Sequence, residues 1–499
     1  MAKKLLIVHG YSDGSTSFTA LRDFFRDQAG YEESQIFFVD YTSMDDETTY
    51  RDLADKLDTD YRTRFPGERI DVVCHSTGAL VVRAWLVLHN ERARRRLGVD
   101  GALPPCPIER LVCFAPANFG SDLALLGQSF LSKFRTTFFN RHSQAEDAFE
   151  TGKVLLQGLE PASPFQWELS MFDLHDENTY FSPRRQPERR CYPFVLSAGT
   201  GYTGLQAKLI KERTKPGTDG TVRIPGTALN TRLCTLDFPD DAPPELSWYP
   251  EVKFEKIPFA VIAGFNHGSI IDPSTDGFLA PDGPGTLALK ALKVDSDDSY
   301  QAVFREFAAA MESNYRRMEG KDRRRFQQFF FKVRDDVDLP VPDYYIDFHV
   351  VQREGQPVES LTVQFDEYFQ ASFYRHSVDA SHRVMLLDCT RLEEFDRLLR
   401  ENGARLMVQV NGISSLPDVK YRPQTFEVYD PQKKYQVYFL YPNTTTLVDI
   451  VLNREQSDRM VVLKDSELQP LVQRSFRARD EETRFGGRAA LLRNESSDR

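Results

Sequence analysis

Along the first 275 residues, short continuous apolar runs alternate with stretches whose apolar residues recur every three or four positions. The runs are Lys4–Val8, Ile36–Tyr41, Ile70–Cys74, Ile108–Ala115, Phe194–Ala198 and Phe259–Ala263. Runs without polar alternation predict strands covered on both faces, as in a parallel sheet. Between the second and third, Tyr50, Leu53, Leu57 and Tyr61 are spaced 3, 4 and 4 and therefore share one helix face. Strands and helices in that rhythm predict an α/β domain.

Two stretches break the rhythm. Residues 119–185 are helical in period, contain no strand, and carry Leu125, Leu126, Phe130, Phe134, Phe138 and Phe139. An insertion at this point predicts a helical lid over the C-terminal edge of the sheet, with Phe130, Phe134 and Phe138 lining an apolar channel; the alternative is a helical pair packed on the core. Residues 200–255, rich in Pro, Gly and Asp, read as long loops. Val303, Phe304, Phe307, Met311, Tyr315 and Met318 then mark a long amphipathic helix ending near Gly320. Beyond Pro340 the period changes to two. Tyr345–Val351, Leu361–Phe365, Val384–Leu387, Leu406–Val410, Tyr435–Leu440 and Leu447–Val451 predict short antiparallel strands of an all-β, sandwich-like domain. The expected division is an α/β catalytic domain over 1–295, a helical connector over 296–338, the β domain over 339–472 and a charged, frayed tail over 473–499.

Composition narrows the picture. With 41% apolar and 27% charged residues the chain is neither disordered nor collagen-like. A net charge of −11 argues against nucleic acid as a partner. Cys74, Cys106, Cys113, Cys191, Cys234 and Cys389 show no C-x-x-C spacing and sit among apolar neighbours, which predicts reduced core thiols and no structural zinc. Lys3-Lys4 runs into only four apolar residues, too few for a signal-peptide core, so the segment is read as a first strand. The expected location is the cytoplasm, or the exterior by a route without a cleaved signal.

The candidate chemistry centres on Cys74-His75-Ser76-Thr77-Gly78, between the apolar run Ile70–Cys74 and the helical Ala79–Leu86. Strand, sharp turn with a central Ser, then helix is the setting of a nucleophile elbow: the turn lifts the hydroxyl off the sheet, and the helix start offers N–H groups to a developing oxyanion. Gly78 satisfies the need for a small residue two positions on; Cys74 stands where glycine is usual. Gly10-Tyr11-Ser12-Asp13-Gly14 is a closer string match, but the residue after its Ser is Asp13, whose carboxylate repels an oxyanion. His9-Gly10-Tyr11 instead reads as the second half of an oxyanion hole, with the Tyr11 N–H as donor. His267 lies in a glycine-bracketed loop after the run Phe259–Ala263, suited to reach a serine as base. Asp219, in Thr218-Asp219-Gly220, sits in a turn and can orient the imidazole. Asp237, Asp240 and Asp241 lie in the same interval but in a Pro-Asp-rich stretch, and Asp272 follows the His and so breaks the chain order Ser, Asp, His that goes with a nucleophile elbow on an α/β sheet.

Val-His-Gly-Tyr at 8–11, Cys-His-Ser-Thr-Gly-Ala-Leu-Val-Val-Arg at 74–83, Ala-Pro-Ala-Asn-Phe-Gly-Ser at 115–121, Asp-Gly-Thr-Val at 219–222 and Asn-His-Gly-Ser at 266–269 together resemble lipase-type α/β-hydrolases. The resemblance is to bacterial lipases and phospholipases similar to the lecithin–cholesterol acyltransferase and GPI-deacylase relatives, and it covers residues 1–275. It implies Ser76 as nucleophile, Asp219 as acid, His267 as base, and Tyr11 with Thr77 as oxyanion donors. The expected activity is carboxyl-ester hydrolysis through an acyl-enzyme, on a lipid or other acyl ester and in contact with a membrane surface, without metal or organic cofactor. An acyltransferase, a small-molecule esterase and a non-catalytic binding protein on the same fold are the alternatives.

Overall fold

The structure, a computed structural model, describes residues 3–10, 18–41, 45–97, 104–126, 152–202, 217–238, 243–352, 368–414, 418–433 and 439–456. All six apolar runs of the first half are strands: β1 (Leu5–Val8), β2 (Ile36–Val39), β3 (Ile70–His75), β4 (Ile108–Phe114), β5 (Tyr192–Ala198) and, later in the chain, Phe259–Ile262. They form one six-stranded sheet. Every pairing in it is parallel, for example Leu5↔Asp71 and Cys74↔Cys113. Helices over Thr19–Ala29 (α1), Tyr50–Arg64 (α2) and Gly78–Leu97 (α3) connect the early strands. Thr49 caps α2, its side chain accepting from Asp52 N, and Tyr50, Leu57 and Tyr61 are buried as the 3–4 spacing requires.

The second half differs from the expected division in a way that matters for the site. Arg232–Asp237 (β6) and Glu245–Trp248 (β7) are strands, not loops, and with Phe259–Ile262 numbered β8, the chain continues through helix Asp297–Arg317 into β9 (Phe326–Asp335). The connector over 296–338 therefore holds a strand as well as a helix. Strands β10 (Asp343–Gln352), β11 (Ala371–Arg375), β12 (His382–Asp388), β13 (Ala404–Ile413), β14 (Val419–Tyr421), β15 (Gln424–Tyr429), β16 (Thr445–Leu452) and β17 (Arg454–Gln456) follow, with a helix, Leu392–Glu401, among them. One mixed sheet has the order β11-β12-β9-β16-β6-β7, and a smaller one the order β10-β13-β15. In the mixed sheet β16 pairs parallel with both β9 and β6, where antiparallel strands were expected. Residues 361–365, expected as a strand, and most of 435–440 lie outside the described residues; Phe439 and Leu440 are not in a strand.

β9 explains why the boundary was hidden. Its Phe330, with Val384 and Leu447, packs into the core of the α/β half. Phe329 and Phe331, on the other face, join Met385, Leu387, Val448 and Ile450 against Leu406, Val408 and Val410 of the smaller sheet. A strand buried on both faces shows no polar alternation, so its sequence carries no period-two signal. The mixed sheet is thus the middle layer of the molecule, with the α/β half on one side and the small sheet on the other.

Of the stretch 119–185, residues 119–126 and 152–185 are among the described residues. Asp122–Leu126 is a 3-10 turn, and Lys153–Leu159 and Pro164–Asp173 are helices. The second is no lid: Asp173 forms a buried bidentate pair with Arg83 of α3, Nε–Oδ2 2.6 Å and Nη2–Oδ1 3.0 Å. Its Trp167 packs edge-on against Phe330 of β9. This helix lies between α3 and the mixed sheet, and the buried guanidinium of Arg83 has its counter-charge at hand there. Phe130, Phe134 and Phe138 lie outside the described residues. No helix among the described residues is long and apolar enough to cross a membrane.

Candidate active site

Ser76 stands between β3 and α3 with φ of +54°, in the left-handed region that L-residues avoid at a cost of about 1–2 kcal/mol. Its backbone is held from two sides. Ser76 N donates to Phe114 O at the end of β4 (3.1 Å), and Ser76 O accepts from Ala117 N (3.1 Å) and Ala79 N (3.2 Å). Gly78 allows the turn: a Cβ there would lie 2.5 Å from His9 O and 2.7 Å from Val8 O, so α3 can start against β1 only without a side chain. Cys74 is accommodated where a glycine is usual because it faces its register partner Cys113, Sγ to Sγ 3.4 Å, both buried. All six cysteines are free and buried.

The chain returns to this point twice. After β8, Asn266 shapes a tight loop, its Oδ1 accepting from Gly268 N (3.1 Å) and Ser269 N (2.9 Å). The loop brings His267 Nε2 to 2.9 Å from Ser76 Oγ. Asp219 sits in a turn before β6, and its Oδ2 lies 2.8 Å from His267 Nδ1. Its other oxygen accepts from Thr221 N (2.9 Å) and Val222 N (2.8 Å). Gly220, at φ +101°, permits that turn, since a Cβ would strike the Tyr202 ring at 2.3 Å. The side chains of Asp219 and His267 are almost fully buried. A carboxylate only accepts, so Nδ1 carries the imidazole proton and Nε2 presents its lone pair to the serine hydroxyl.

Backbone contacts hold the imidazole's loop as well. His267 N donates to Asp219 O (3.2 Å), and His75 Nε2 donates to His267 O (2.9 Å). Burial pushes the His75 pKa well below its usual value, and nearby His267 pushes the same way, so His75 is a neutral hydrogen-bond donor. Its neighbour in sequence is the serine, yet its chemistry is directed at the histidine loop, which sequence alone did not reveal.

The structure thus brings together Ser76, Asp219 and His267. Thr77, buried, directly precedes α3 with its backbone N–H at the helix start. Tyr11 and the competing Ser12 lie outside the described residues. Tyr41, stacked on His9 at 4.4 Å, donates to His9 O (2.9 Å) and fixes the strand end that leads to Tyr11. Among the rival acids, Asp237 ends β6 exposed, Asp272 accepts from Ser274 N (2.9 Å) beyond the loop, and Asp240 and Asp241 are outside the described residues. Among the described residues, no group of three or more His, Cys, Asp or Glu could hold a metal ion.

A match to the alpha/beta hydrolase family spans residues 5–395. The chain belongs to the alpha/beta hydrolase family. No curated protein sequence matches this hydrolase. Among solved structures it is similar to phospholipase PlaB from Legionella pneumophila, with a TM-score of 0.76 and 23% identity over 94% of this chain and 97% of that one. The same phospholipase in complex with thio-NAD matches with a TM-score of 0.75 and 22% identity, again over 94% and 97%. At these identities the likeness is one of fold, and it extends beyond the parallel sheet to nearly the whole chain, the C-terminal sheets included.

Proposed function

We propose that this hydrolase is a serine enzyme that cleaves carboxyl esters of lipids, phospholipids foremost, through an acyl-enzyme on Ser76. The observation that carries the reading is the unbroken hydrogen-bonded line from Asp219 through His267 to Ser76, at 2.8 Å and 2.9 Å. His267 Nε2 takes the proton as Ser76 Oγ adds to the ester carbonyl. The buried Asp219 keeps the proton on Nδ1 and stabilises the imidazolium. The N–H groups of Thr77 and Tyr11 receive the oxyanion, each such donor being worth about 10²–10³ in kcat. The tetrahedral adduct collapses, the alcohol leaves with the proton from His267, and water activated by the same nitrogen releases the fatty acid and frees Ser76.

The substrate class rests on two supports: the lipase-like motif set, and the likeness over nearly the full chain to a protein described as a phospholipase. Membrane-surface contact belongs to the same proposal. Phe130, Phe134 and Phe138 remain the candidates for acyl-chain contact. Mass spectrometry of mixed phospholipid and neutral-lipid vesicles incubated with wild type and with Ser76→Ala tests it. Lyso-lipid and free fatty acid formed only by the wild type support the reading; equal products from both proteins, or none from either, contradict it.

A further inference from the structure

The Asp219 carboxylate is fixed by its own turn, and the turn is fixed from elsewhere. The segment after β4 takes three of the carbonyls that follow Asp219: Ser121 Oγ donates to Thr221 O (2.6 Å), Phe119 N to Gly226 O (2.9 Å) and Asn118 Nδ2 to Thr227 O (2.7 Å). Pro225 O is bound differently. It accepts from Thr445 Oγ1 at 3.1 Å, 220 residues further along the chain, and at a longer 3.4 Å from Ala228 N. Thr445 is fully buried and opens β16, which runs parallel to β6, the first strand after the acid turn and the short helix Ile224–Thr227.

Three further contacts come from the same sheet. Gln328 of β9 donates to Phe119 O (3.4 Å), and a Cβ on Gly226 would meet its side-chain oxygen at 3.4 Å. The Phe326 ring fills the space where Gly217 would carry a side chain. Tyr374 of β11 lies under the Arg223 guanidinium at 3.9 Å, while Arg223 pairs with Asp122 at 2.9 Å. The acid turn is therefore seated on β9, β11 and β16, and the short helix Ile224–Thr227 leads from it to β6.

We infer that the mixed C-terminal sheet positions the Asp219 turn, with Thr445 as the positioning residue and Gln328 beside it, so that an ester-hydrolase site on one sheet depends on a strand of another. The inference rests on the reading of Asp219 as the triad acid. The physical reason is that hydrogen-bonded catalytic groups tolerate little displacement, about 1 Å costing up to 10²-fold, and Pro225 O without Thr445 Oγ1 keeps only the long 3.4 Å bond from Ala228 N and shifts toward it.

The test is a double-mutant cycle on a p-nitrophenyl ester. Thr445→Val keeps shape and β-branching but removes the donor, and should lower kcat about ten-fold with KM unchanged, while Thr445→Ser stays near wild type. In an Asp219→Asn background the same Thr445→Val change should cost less than about two-fold, because the carboxylate it positions is gone. A merely stabilising contact would give equal losses in both backgrounds, and that outcome, or a Thr445→Val enzyme with wild-type kcat, overturns the inference. If Thr445→Val does not fold, Gln328→Met taken through the same cycle decides by the same criterion. Wild-type activity in Asp219→Asn alone would instead remove the triad reading, and this inference with it.

Discussion

A methyl group on Gly10 would stand 2.9 Å from the Ser76 Cβ and 3.4 Å from its Oγ, so the end of β1 and the serine meet with no room for a side chain between them. Gly10→Ala should push the elbow away from His267. We expect kcat/KM for an activated ester to fall about 10²-fold while the midpoint of thermal unfolding moves by only a few degrees. Unchanged kinetics would show that the serine is not held where its neighbours place it.

Asp219→Asn should retain the fold and lose about 10⁴ in kcat, since the amide favours the wrong imidazole tautomer. Steady-state kinetics beside a circular dichroism spectrum check this. An Asn variant within ten-fold of wild type would return the acid role to another carboxylate.

These residues were legible because each lies in a local pattern: a strand followed by Cys-His-Ser-Thr-Gly, a strand followed by Gly-Phe-Asn-His-Gly, an Asp-Gly turn before β-like residues. The six parallel strands were legible for the same reason, as continuous apolar runs. What sequence could not carry was long-range. Phe330 and Phe331 are adjacent in the chain yet belong to different cores, so β9 shows no alternation and reads as part of the helical connector. β6 and β7 lie in a Pro- and Asp-rich stretch, and β16, which joins β6 to the rest of the sheet, is more than two hundred residues away. Thr445 and His75 act through backbone carbonyls, which no residue pattern records.

Folding should be sensitive to acid. Burial pushes the His382 pKa down to about 4, against a partial upward pull from Asp379, and the ring packs against Phe330 and Trp167 where the two halves join. Unfolded, the same ring binds a proton near pH 6.5. Between those values the unfolded chain holds the extra proton, so stability is full above pH 6.5 and is lost as pH falls toward 4. From pH 7 to pH 5 this ring alone accounts for about 2 kcal/mol. Buried His75 and half-buried His175, both also pushed down by desolvation, act in the same direction. Denaturant titrations at the two pH values should show a smaller loss for His382→Gln than for wild type; equal losses would refute the assignment.

The Arg83–Asp173 pair joins α3 to the helix Pro164–Asp173 in full burial, each side chain no more than 4% exposed. Arg83→Met should destabilise by about 3 kcal/mol, by leaving the Asp173 carboxyl without its partner. The double variant Arg83→Met with Asp173→Leu should recover most of that loss. Chemical denaturation midpoints measure both, and a double variant no better than the single one would contradict the account.

The most direct test of the central claim is labelling with a fluorophosphonate, which reacts only with an activated serine, followed by peptide mass spectrometry. The account predicts a single adduct on Ser76 that is lost in His267→Ala. An adduct on Ser12, or no adduct on any serine of the folded wild-type protein, would contradict it.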